Sequence, residues 1–246
     1  MSERDNIIAM IPARIGSTRL KCKNLALLNG KPLIAYPIEA AKKSKVFSKI
    51  VINGDHPIFT DIAARYDVEF YQRPSHLGSS NTRADSVVYD FLLKHETDYV
   101  AWVNPTSPLQ TGEEVGSVIN FFMKENLDTL ITVSNKQVHC MCENTPVNFK
   151  KEEMFSRTQD LVPVQASVYS IMVWKRQTFL ESYEKRGYAL FCGKIGYYPV
   201  SKESSLIIKD KEDLMIVDHI IRAKESASEY EIEYDSLIKT LNAIEQ

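Results

Sequence analysis

The sequence predicts an α/β fold with a doubly wound, mostly parallel sheet. Short runs of apolar and β-branched residues alternate with segments whose apolar residues recur at helical spacing. The connections between these segments are short, and no internal repeat, low-complexity tract or linker divides the 246 residues. Such alternation is typical of a parallel sheet covered by helices on both faces, in which ligands bind beyond the carboxyl ends of the strands.

Four strand and helix pairs make up the first half of the chain. The opening run IIAMI is apolar throughout and bounded by Pro12, which fits a strand buried on both faces. Pro32 stands where a first helical turn begins. The predicted strands are residues 7–11, 49–52, 69–71 and 99–103, and the predicted helices are residues 33–43, 57–66, 82–93 and 113–124.

The second half continues the alternation after an interruption. Asp210 is a predicted helix N-cap, and Asp213 lies in the acidic first turn of the helix that follows. Between residues 135 and 160 the pattern is lost and the residues are mostly polar, which indicates an insertion. We expect one domain over residues 1–246, with an amphipathic C-terminal extension at 227–246. The remaining predictions are strands at residues 129–133, 168–174 and 194–198 and a helix at residues 177–183.

Charge and hydropathy argue against two classes of partner. The net charge of −2 and the pI near 6.2 give no global positive field, so neither nucleic acid nor an anionic membrane is an expected partner. No run approaches the roughly 18 apolar residues of a membrane span. The N-terminus MSERDN is polar, unlike a signal peptide, and a cytoplasmic location is expected.

The four cysteines have neither the density of a disulfide scaffold nor CxxC spacing, which predicts reduced thiols. Cys140 and Cys142 would share one face of a strand, with His139 beside them. A metal pair is conceivable at this place. Buried thiols are the favoured interpretation because further ligands are missing.

The stretch IPARIGSTRLKCKN at residues 11–24 is the strongest candidate for a functional loop. Gly16 permits positive φ and close backbone approach, and Ser17 and Thr18 add hydroxyl groups. Four cations occur within ten residues, namely Arg14, Arg19, Lys21 and Lys23. Backbone N–H groups and cations together suit a polyanion such as a triphosphate. Composition alone favours a solvated basic loop equally well, and the loop matches neither the P-loop nor the dinucleotide motif.

The order of residues in this loop resembles the signature of the N-acylneuraminate (CMP-sialic acid) cytidylyltransferase family. The matching residues are IPAR, Gly16-Ser17, Arg19, Lys23-Asn24 and the later run GKPLIA at residues 30–35. Related Kdo cytidylyltransferases usually carry Pro at the position of Asn24, which favours the sialic-acid branch. The resemblance implies a Rossmann-like nucleotidyltransferase fold that binds CTP.

A second group of matches follows in the same order along the chain. Residues 104–109, NPTSPL, resemble the QPTSPLR segment after the fourth strand of these enzymes, with Asn104 in place of Gln and Gln110 in place of Arg. Arg73-Pro74 resembles an RP pair that belongs to the family's nucleotide site, and residues 79–82 resemble its Ser/Thr-rich stretch, which includes Ser80. A rigid turn, a solvated or ion-paired arginine and a helix cap are the ordinary alternatives.

The resemblance also implies that residues 135–165 form a dimerisation insertion and that the protein is a homodimer. The segment RTQD, from Arg157 to Asp160, resembles the family's RRQD, in the part that reaches toward the site of the neighbouring subunit. Tyr169 is kept from the strand that follows. Phe191 is a candidate for lining the sugar pocket or, equally, an ordinary core residue.

The clearest departure from the family concerns its metal ligands. Relatives carry Asp-Ile-Asp before the last helix, and these two carboxylates hold Mg²⁺; Ile207, Ile208 and Lys209 take these positions here. Ile207 cannot bind Mg²⁺, and Lys209 would repel it. Three explanations stay open: triphosphate oxygens, water and another carboxylate such as Asp55, Asp210 or Glu203 hold the ion, Lys209 supplies the positive charge instead, or the chain binds without catalysis.

The predicted function is a cytidylyltransferase that joins CTP to an acidic 2-keto sugar, a sialic-acid-like nonulosonate, giving the CMP-sugar and pyrophosphate, with Mg²⁺ as the implied cofactor. The alternatives are another acid such as Kdo or a phosphonate, another base, or a non-catalytic nucleotide-binding relative. Lys23, Arg14 and Lys209 are the predicted catalytic residues. The predicted contacts to nucleotide and sugar are Ala13, Arg14, Gly16, Ser17, Arg19, Lys23, Asn24, Arg73, Ser80, Asn104, Arg157, Gln159, Tyr169 and Phe191.

Overall fold

The architecture is taken from a computed structural model, which describes residues 6–226 and 232–237. Most of the predicted C-terminal extension lies outside these residues. The described part of it, residues 232–237, is exposed and forms neither helix nor strand.

Within the described residues, seven of the eleven strands form one sheet. In chain order the strands are β1 Ile7–Ala13, β2 Leu27–Leu28, β3 Lys31–Pro32, β4 Lys49–Gly54, β5 Glu69–Gln72, β6 Tyr99–Val103, β7 Thr129–Lys136, β8 Met141–Cys142, β9 Thr145–Pro146, β10 Val164–Lys175 and β11 Ile195–Pro199. The sheet order is β11-β7-β10-β6-β1-β4-β5. Only β10 runs antiparallel to its neighbours in this sheet. The predicted mostly parallel sheet is therefore confirmed.

Helices cover both faces of the sheet, as a doubly wound fold requires. The helices are α1 Ala35–Ser44, α2 Phe59–Tyr66, α3 Ala84–Lys94, α4 Gly112–Lys124, α5 Arg176–Arg186 and α6 Lys211–Ser226. One face packs on α1, α2 and α4. The other packs on α3 and α5 around the fully buried Trp174 and Phe179, whose rings meet edge to face. Alternate residues of β1 enter the two cores, which explains why its sequence is apolar throughout.

Two regions differ from the prediction. The short hairpin of β2 and β3 is not predicted because two-residue strands carry no periodic pattern. The insertion is partly regular, since Val164 of β10 pairs with Lys136 of β7 and extends the sheet as a two-stranded arm. A second small hairpin, β8 with β9, lies within the arm.

The cysteines of this arm do not form the expected buried pair. Cys142 is exposed in β8, which pairs only with β9 in a small separate sheet, and Cys140, two residues earlier, is only partly buried. His139 stacks on Phe155 instead of joining a metal cluster. None of the helices within the described residues is long and apolar enough to cross a membrane.

The last helix has the predicted cap. Asp210 Oδ1 accepts a hydrogen bond from the backbone N of Asp213 at 3.1 Å, and α6 begins at the next residue, Lys211. Val217 of α6 and the preceding Ile208 are buried against Leu28 and Leu33. This contact fixes the segment before α6 beside the loop that follows β1.

Candidate functional site

A cavity of about 320 Å³ opens beyond the carboxyl end of β1. This is the edge of the sheet at which ligands are expected in doubly wound folds. Its lining residues are Pro12, Ala13, Arg14, Ser17, Lys23, Asn24, Arg73, Leu77, Ser79, Ser80, Thr82, Ala84, Val87, Trp102, Asn104, Pro105 and Thr106. Cations and hydroxyl groups of the opening loop line one part, and apolar residues of α3 and β6 line another.

The opening loop is fastened at both ends. The backbone N of Ile15 donates to Asp55 Oδ1 at 2.9 Å, at the turn after β4. Asn24 is 4% exposed, and its Nδ2 donates to the carbonyl of Arg14 at 3.2 Å. The buried amide of Asn24 therefore stabilises the conformation of the loop. Asn24 also lines the cavity.

Asp55 also contacts the segment that follows β5. A side chain at Gly78 would place its Cβ 2.6 Å from Asp55 Oδ2, so only glycine allows this close approach. Asp55 thereby connects the opening loop to residues 75–78, which continue into the Ser/Thr-rich stretch of the cavity wall.

Lys23 joins the opening loop to the segment before α6. Its Nζ donates to the carbonyl of Ile208 at 3.0 Å. Burial lowers the pKa of Lys23, and the positive charges of Arg19 and Arg14 lower it further, while Asp213 and Asp210 partly oppose the change. An ammonium group crowded by other cations is a favourable partner for an anion.

Arg73 is a buried cation in the cavity wall. It is 4% exposed, and its Nη1 donates to the carbonyl of Asn53 at 2.6 Å. Burial lowers its pKa, and the negative charge of Asp55 opposes this change. Its Nε and the Oδ1 of Asn53 are buried with no hydrogen-bond partner among the described residues. The solvated arginine considered from sequence is thus excluded.

The NPTSPL turn is organised by the side chain of Asn104. Its Oδ1 accepts hydrogen bonds from the backbone N and the hydroxyl of Thr106, and its Nδ2 donates to the carbonyl of Tyr169. The carbonyl of Thr106 in turn accepts from the backbone N of Ile208 at 2.9 Å. The sequence offered a rigid turn and a ligand-binding segment as alternatives. Residues 104–106 are both a rigid turn and part of the cavity wall.

Strand β10 is irregular where it passes this turn. Its register with β7 shifts between Ser167 and Met172, and Tyr169 within the shift has a φ of 56°. This left-handed conformation is unfavourable for an aromatic residue and marks a bulge. The buried Gln110 donates from Nε2 to the hydroxyl of Ser170 at 3.2 Å, so its amide supports the bulge.

Eight of the predicted contact residues line the cavity: Ala13, Arg14, Ser17, Lys23, Asn24, Arg73, Ser80 and Asn104. Gly16 and Arg19 are exposed on the same loop. Tyr169, which is 39% exposed, reaches the site through its backbone carbonyl. Phe191 is 50% exposed, which rules out an ordinary core position, and it does not line the cavity.

The predicted residues of the arm lie outside the cavity. Arg157 and Gln159 are exposed, and Arg157 forms an ion pair with Asp160 at 2.8 Å. Lys209 is also exposed and does not line the cavity, although the neighbouring carbonyl of Ile208 touches Lys23. The structure therefore does not bring Lys209 into the position proposed for a replacement cation.

Trp102 is a cavity residue that sequence reasoning missed. It lies on β6, two residues before Asn104, and its Nε1 is buried without a hydrogen-bond partner among the described residues. Its position in a strand that ends at the NPTSPL turn is the signal that could have identified it.

The residues around the cavity do not fit a magnesium ion held by the protein. Within residues 6–226 and 232–237 there is no group of three His, Cys, Asp or Glu side chains that could hold a metal. Asp55 is bonded to the backbone of Ile15 and packed on Gly78. Asp210 and Asp213 serve the cap of α6, where Asp213 Oδ2 accepts from the backbone N of Lys209.

Comparison with solved structures identifies the fold. The structure of CMP:2-keto-3-deoxy-manno-octonic acid synthetase complexed with CTP superposes with a TM-score of 0.70 at 12% identity, covering 89% of this chain and 99% of that one. The 4-diphosphocytidyl-2C-methyl-D-erythritol synthase of Anaerococcus prevotii superposes with a TM-score of 0.64 at 15% identity, covering 89% and 100%. The predicted Rossmann-like nucleotidyltransferase fold is confirmed.

Sequence comparison identifies relatives among sugar-acid enzymes. The N-acylneuraminate cytidylyltransferase of Streptococcus agalactiae serotype V is 26% identical over 94% of this chain and 58% of its own length. That of Escherichia coli O18:K1:H7 is 29% identical over 90% and 53%. The CMP-N,N'-diacetyllegionaminic acid synthase of Legionella pneumophila is 32% identical over 63% and 69%.

The chain spans a little over half the length of the curated N-acylneuraminate cytidylyltransferases named above. The family model described as cytidylyltransferase matches residues 8–235, which include the opening loop, the cavity and α6. The order of motifs from residue 11 onward, the fold and this match agree, and the chain belongs to the cytidylyltransferase family.

Proposed function

We propose that this chain is a cytidylyltransferase that transfers CMP from CTP to an acidic 2-keto sugar, a sialic-acid-like nonulosonate, and releases pyrophosphate. The observation that carries the proposal is the cavity, whose lining combines the cations Arg14, Lys23 and Arg73 with hydroxyl groups and apolar residues. Such a cavity suits a nucleotide, with phosphates against the cations and the base against the apolar wall.

The proposed reaction is a single displacement at phosphorus. The anomeric hydroxyl oxygen of the sugar attacks the α-phosphorus in line and loses its proton to solvent. The bond from the α-phosphorus to its bridging oxygen breaks, and pyrophosphate leaves with the electron pair. No covalent enzyme intermediate is needed, so the protein contributes positioning and charge stabilisation. Lys23 and Arg14 are the side chains that we assign to stabilising the charge on the phosphates.

The class of acid is inferred from the relatives. The matched proteins are named for sialic acid, legionaminic acid and, in Bdellovibrio bacteriovorus, 3-deoxy-manno-octulosonate. All three names describe acidic keto sugars, and the higher coverage of the N-acylneuraminate enzymes supports a nonulosonate for this chain. Kdo-like acids and phosphonates are the second candidates for the acceptor.

A turnover screen tests this proposal. The chain is incubated with each nucleoside triphosphate and a panel of N-acetylneuraminic acid, legionaminic acid, Kdo and a phosphonate, and pyrophosphate release is measured. We expect release with CTP and a nonulosonate to exceed all other pairs. Binding of CTP by calorimetry without release from any pair would instead identify a non-catalytic nucleotide-binding relative, the alternative that the carboxylate-free cavity lining favours.

We also propose that the chain works as a homodimer in the cytoplasm, where its free thiols stay reduced. The support is the arm, on which Met154 is 93% exposed and Phe155 78% exposed, together with exposed Val147 and Val162. Exposed apolar patches of this kind mark protein interfaces. In this proposal Arg157 and Gln159 act toward the site of the partner.

Light scattering tests the dimer. We expect twice the mass of one chain, and Phe155→Ser combined with Met154→Ser should shift the equilibrium toward monomer. Leu93→Ser serves as the matched control, since Leu93 is 55% exposed but lies on α3 away from the arm. A monomeric wild-type chain at micromolar concentration would contradict the proposal.

A further inference from the structure

The lining of the cavity contains cations and no carboxylate among the described residues. Arg14, Lys23 and Arg73 line it, and none of the described residues that line it is an Asp or a Glu. Arg19 lies close enough to lower the pKa of Lys23. This side of the sheet therefore concentrates four cations of the chain around one opening.

The nearest carboxylates are already engaged. Asp55 accepts from the backbone of Ile15 at 2.9 Å, and its second oxygen packs against Gly78. Asp213 accepts from the backbone N of Lys209 at 2.7 Å, and Asp210 accepts from Asp213. A metal would have to compete for Asp55 Oδ1, Asp213 Oδ2 and Asp210 Oδ1 with the backbone N–H groups of the loop and of the α6 cap that these oxygens already accept from.

From this imbalance we infer that the site binds CTP as the metal-free triphosphate, with the lining cations Arg14, Lys23 and Arg73 neutralising the phosphates in place of a protein-held Mg²⁺. The inference rests on the proposed function. Mg²⁺ demands a near-octahedral set of oxygen ligands and sheds water reluctantly, and this cavity offers it no anionic oxygen. A Mg–CTP complex would moreover carry roughly half the negative charge of free CTP, so the cations of the cavity would attract it less strongly.

Calorimetric titration of CTP into the full chain tests the inference. The titration is run in EDTA and again in excess Mg²⁺, at equal ionic strength. We expect binding in EDTA at least as tight as in Mg²⁺, with Mg²⁺ weakening it severalfold. Binding in Mg²⁺ but not in EDTA would overturn the inference and leave the proposed function intact. The absence of CTP binding in both buffers would overturn the proposed function, and the inference with it.

A pair of variants on the same loop supplies a second readout. Lys23→Met removes a cavity cation, whereas Lys21→Met removes an exposed cation two residues away that does not line the cavity. We expect Lys23→Met to weaken CTP binding in EDTA by tenfold or more. In this variant, adding Mg²⁺ should weaken CTP binding less than it does in the wild type, or not at all. Lys21→Met should behave as the wild type in both buffers. An equal loss in both variants would show nonspecific screening and overturn the assignment of Lys23.

Discussion

Replacing Lys23 by alanine is expected to lower the kcat/KM for pyrophosphate release by more than about 100-fold. The ammonium group lines the cavity beside Arg14 and is held in place by the carbonyl of Ile208. In a half-buried site a positioned cation is worth more than in water, and its loss leaves the developing phosphate charge without a partner. Steady-state kinetics with CTP and the preferred acid measure the effect.

Two controls separate this role from a structural one. Lys21→Ala, which removes an exposed lysine of the same loop, should keep activity within about twofold of the wild type. The bond from Lys23 to Ile208 also fastens the segment before α6, so the folding of the variant has to be checked. We expect the circular dichroism spectrum of Lys23→Ala to match that of the wild type. Near wild-type turnover of a folded Lys23→Ala would remove Lys23 from the mechanism.

The pH dependence provides an additional signature of Lys23. Burial and the neighbouring arginines lower its pKa, and the protonated form is the one that stabilises phosphate. As pH rises through this lowered pKa the charge is lost, so kcat/KM should fall at a pH below that of an ordinary lysine. In Lys23→Arg this alkaline limb should move to higher pH, since arginine stays protonated.

Replacing Asp85 by alanine is expected to reduce the free energy of unfolding by roughly 2–5 kcal/mol. Asp85 is 7% exposed at the start of α3, and its Oδ1 accepts from the backbone N of Ala189 at 2.6 Å and of Leu190 at 2.9 Å. The variant leaves both donors without an acceptor. The carbonyl of Leu190 also accepts a hydrogen bond from Nε1 of the buried Trp174. Displacement of residues 189–190 would therefore weaken this core hydrogen bond as well.

Chemical denaturation measures this change, with Asp61→Ala as the matched control. Asp61 lies in the first turn of α2 but is exposed, so its removal should cost less than about 1 kcal/mol. Asp85→Asn keeps an acceptor oxygen and should fall between the two. A fold as stable in Asp85→Ala as in Asp61→Ala would show that the loop at residues 189–190 is held by other contacts.

Local sequence patterns predicted most of the fold. Apart from the hairpin of β2 and β3, the sequence predicts the strands and helices up to Lys124 to within two residues, because most of these strands are rich in apolar or β-branched residues and each helix buries a periodic stripe. The arm is not predicted as sheet, since Val164 to Ser167 pair with β7 through backbone hydrogen bonds while their side chains stay largely exposed. Periodicity reports burial, and these residues are barely buried.

Residue patterns alone predict the site only where one continuous segment forms it, and the family resemblance adds Arg73, Ser80 and Asn104, which also line the cavity. Arg14, Ser17, Lys23 and Asn24 stand together in the sequence and in the cavity. Sequence patterns do not predict individual hydrogen bonds between distant segments. The bond from Lys23 to Ile208, for example, joins residues that are 185 positions apart. Lys209 was predicted beside the phosphates from its sequence position, yet the backbone turns it outward into the cap of α6.

The place of β10 in the sheet affects how the site is built during synthesis. Every residue that lines the cavity lies between Pro12 and Thr106, and β10 inserts later between β6 and β7. Until residues 164–175 emerge from the ribosome, the edge of β6 next to Trp102 is an unpaired apolar strand, open to wrong pairing. The bond from Asn104 to Tyr169 can form only afterwards. The first half of the chain thus contains all the groups that line the cavity, while their final arrangement waits for the second half.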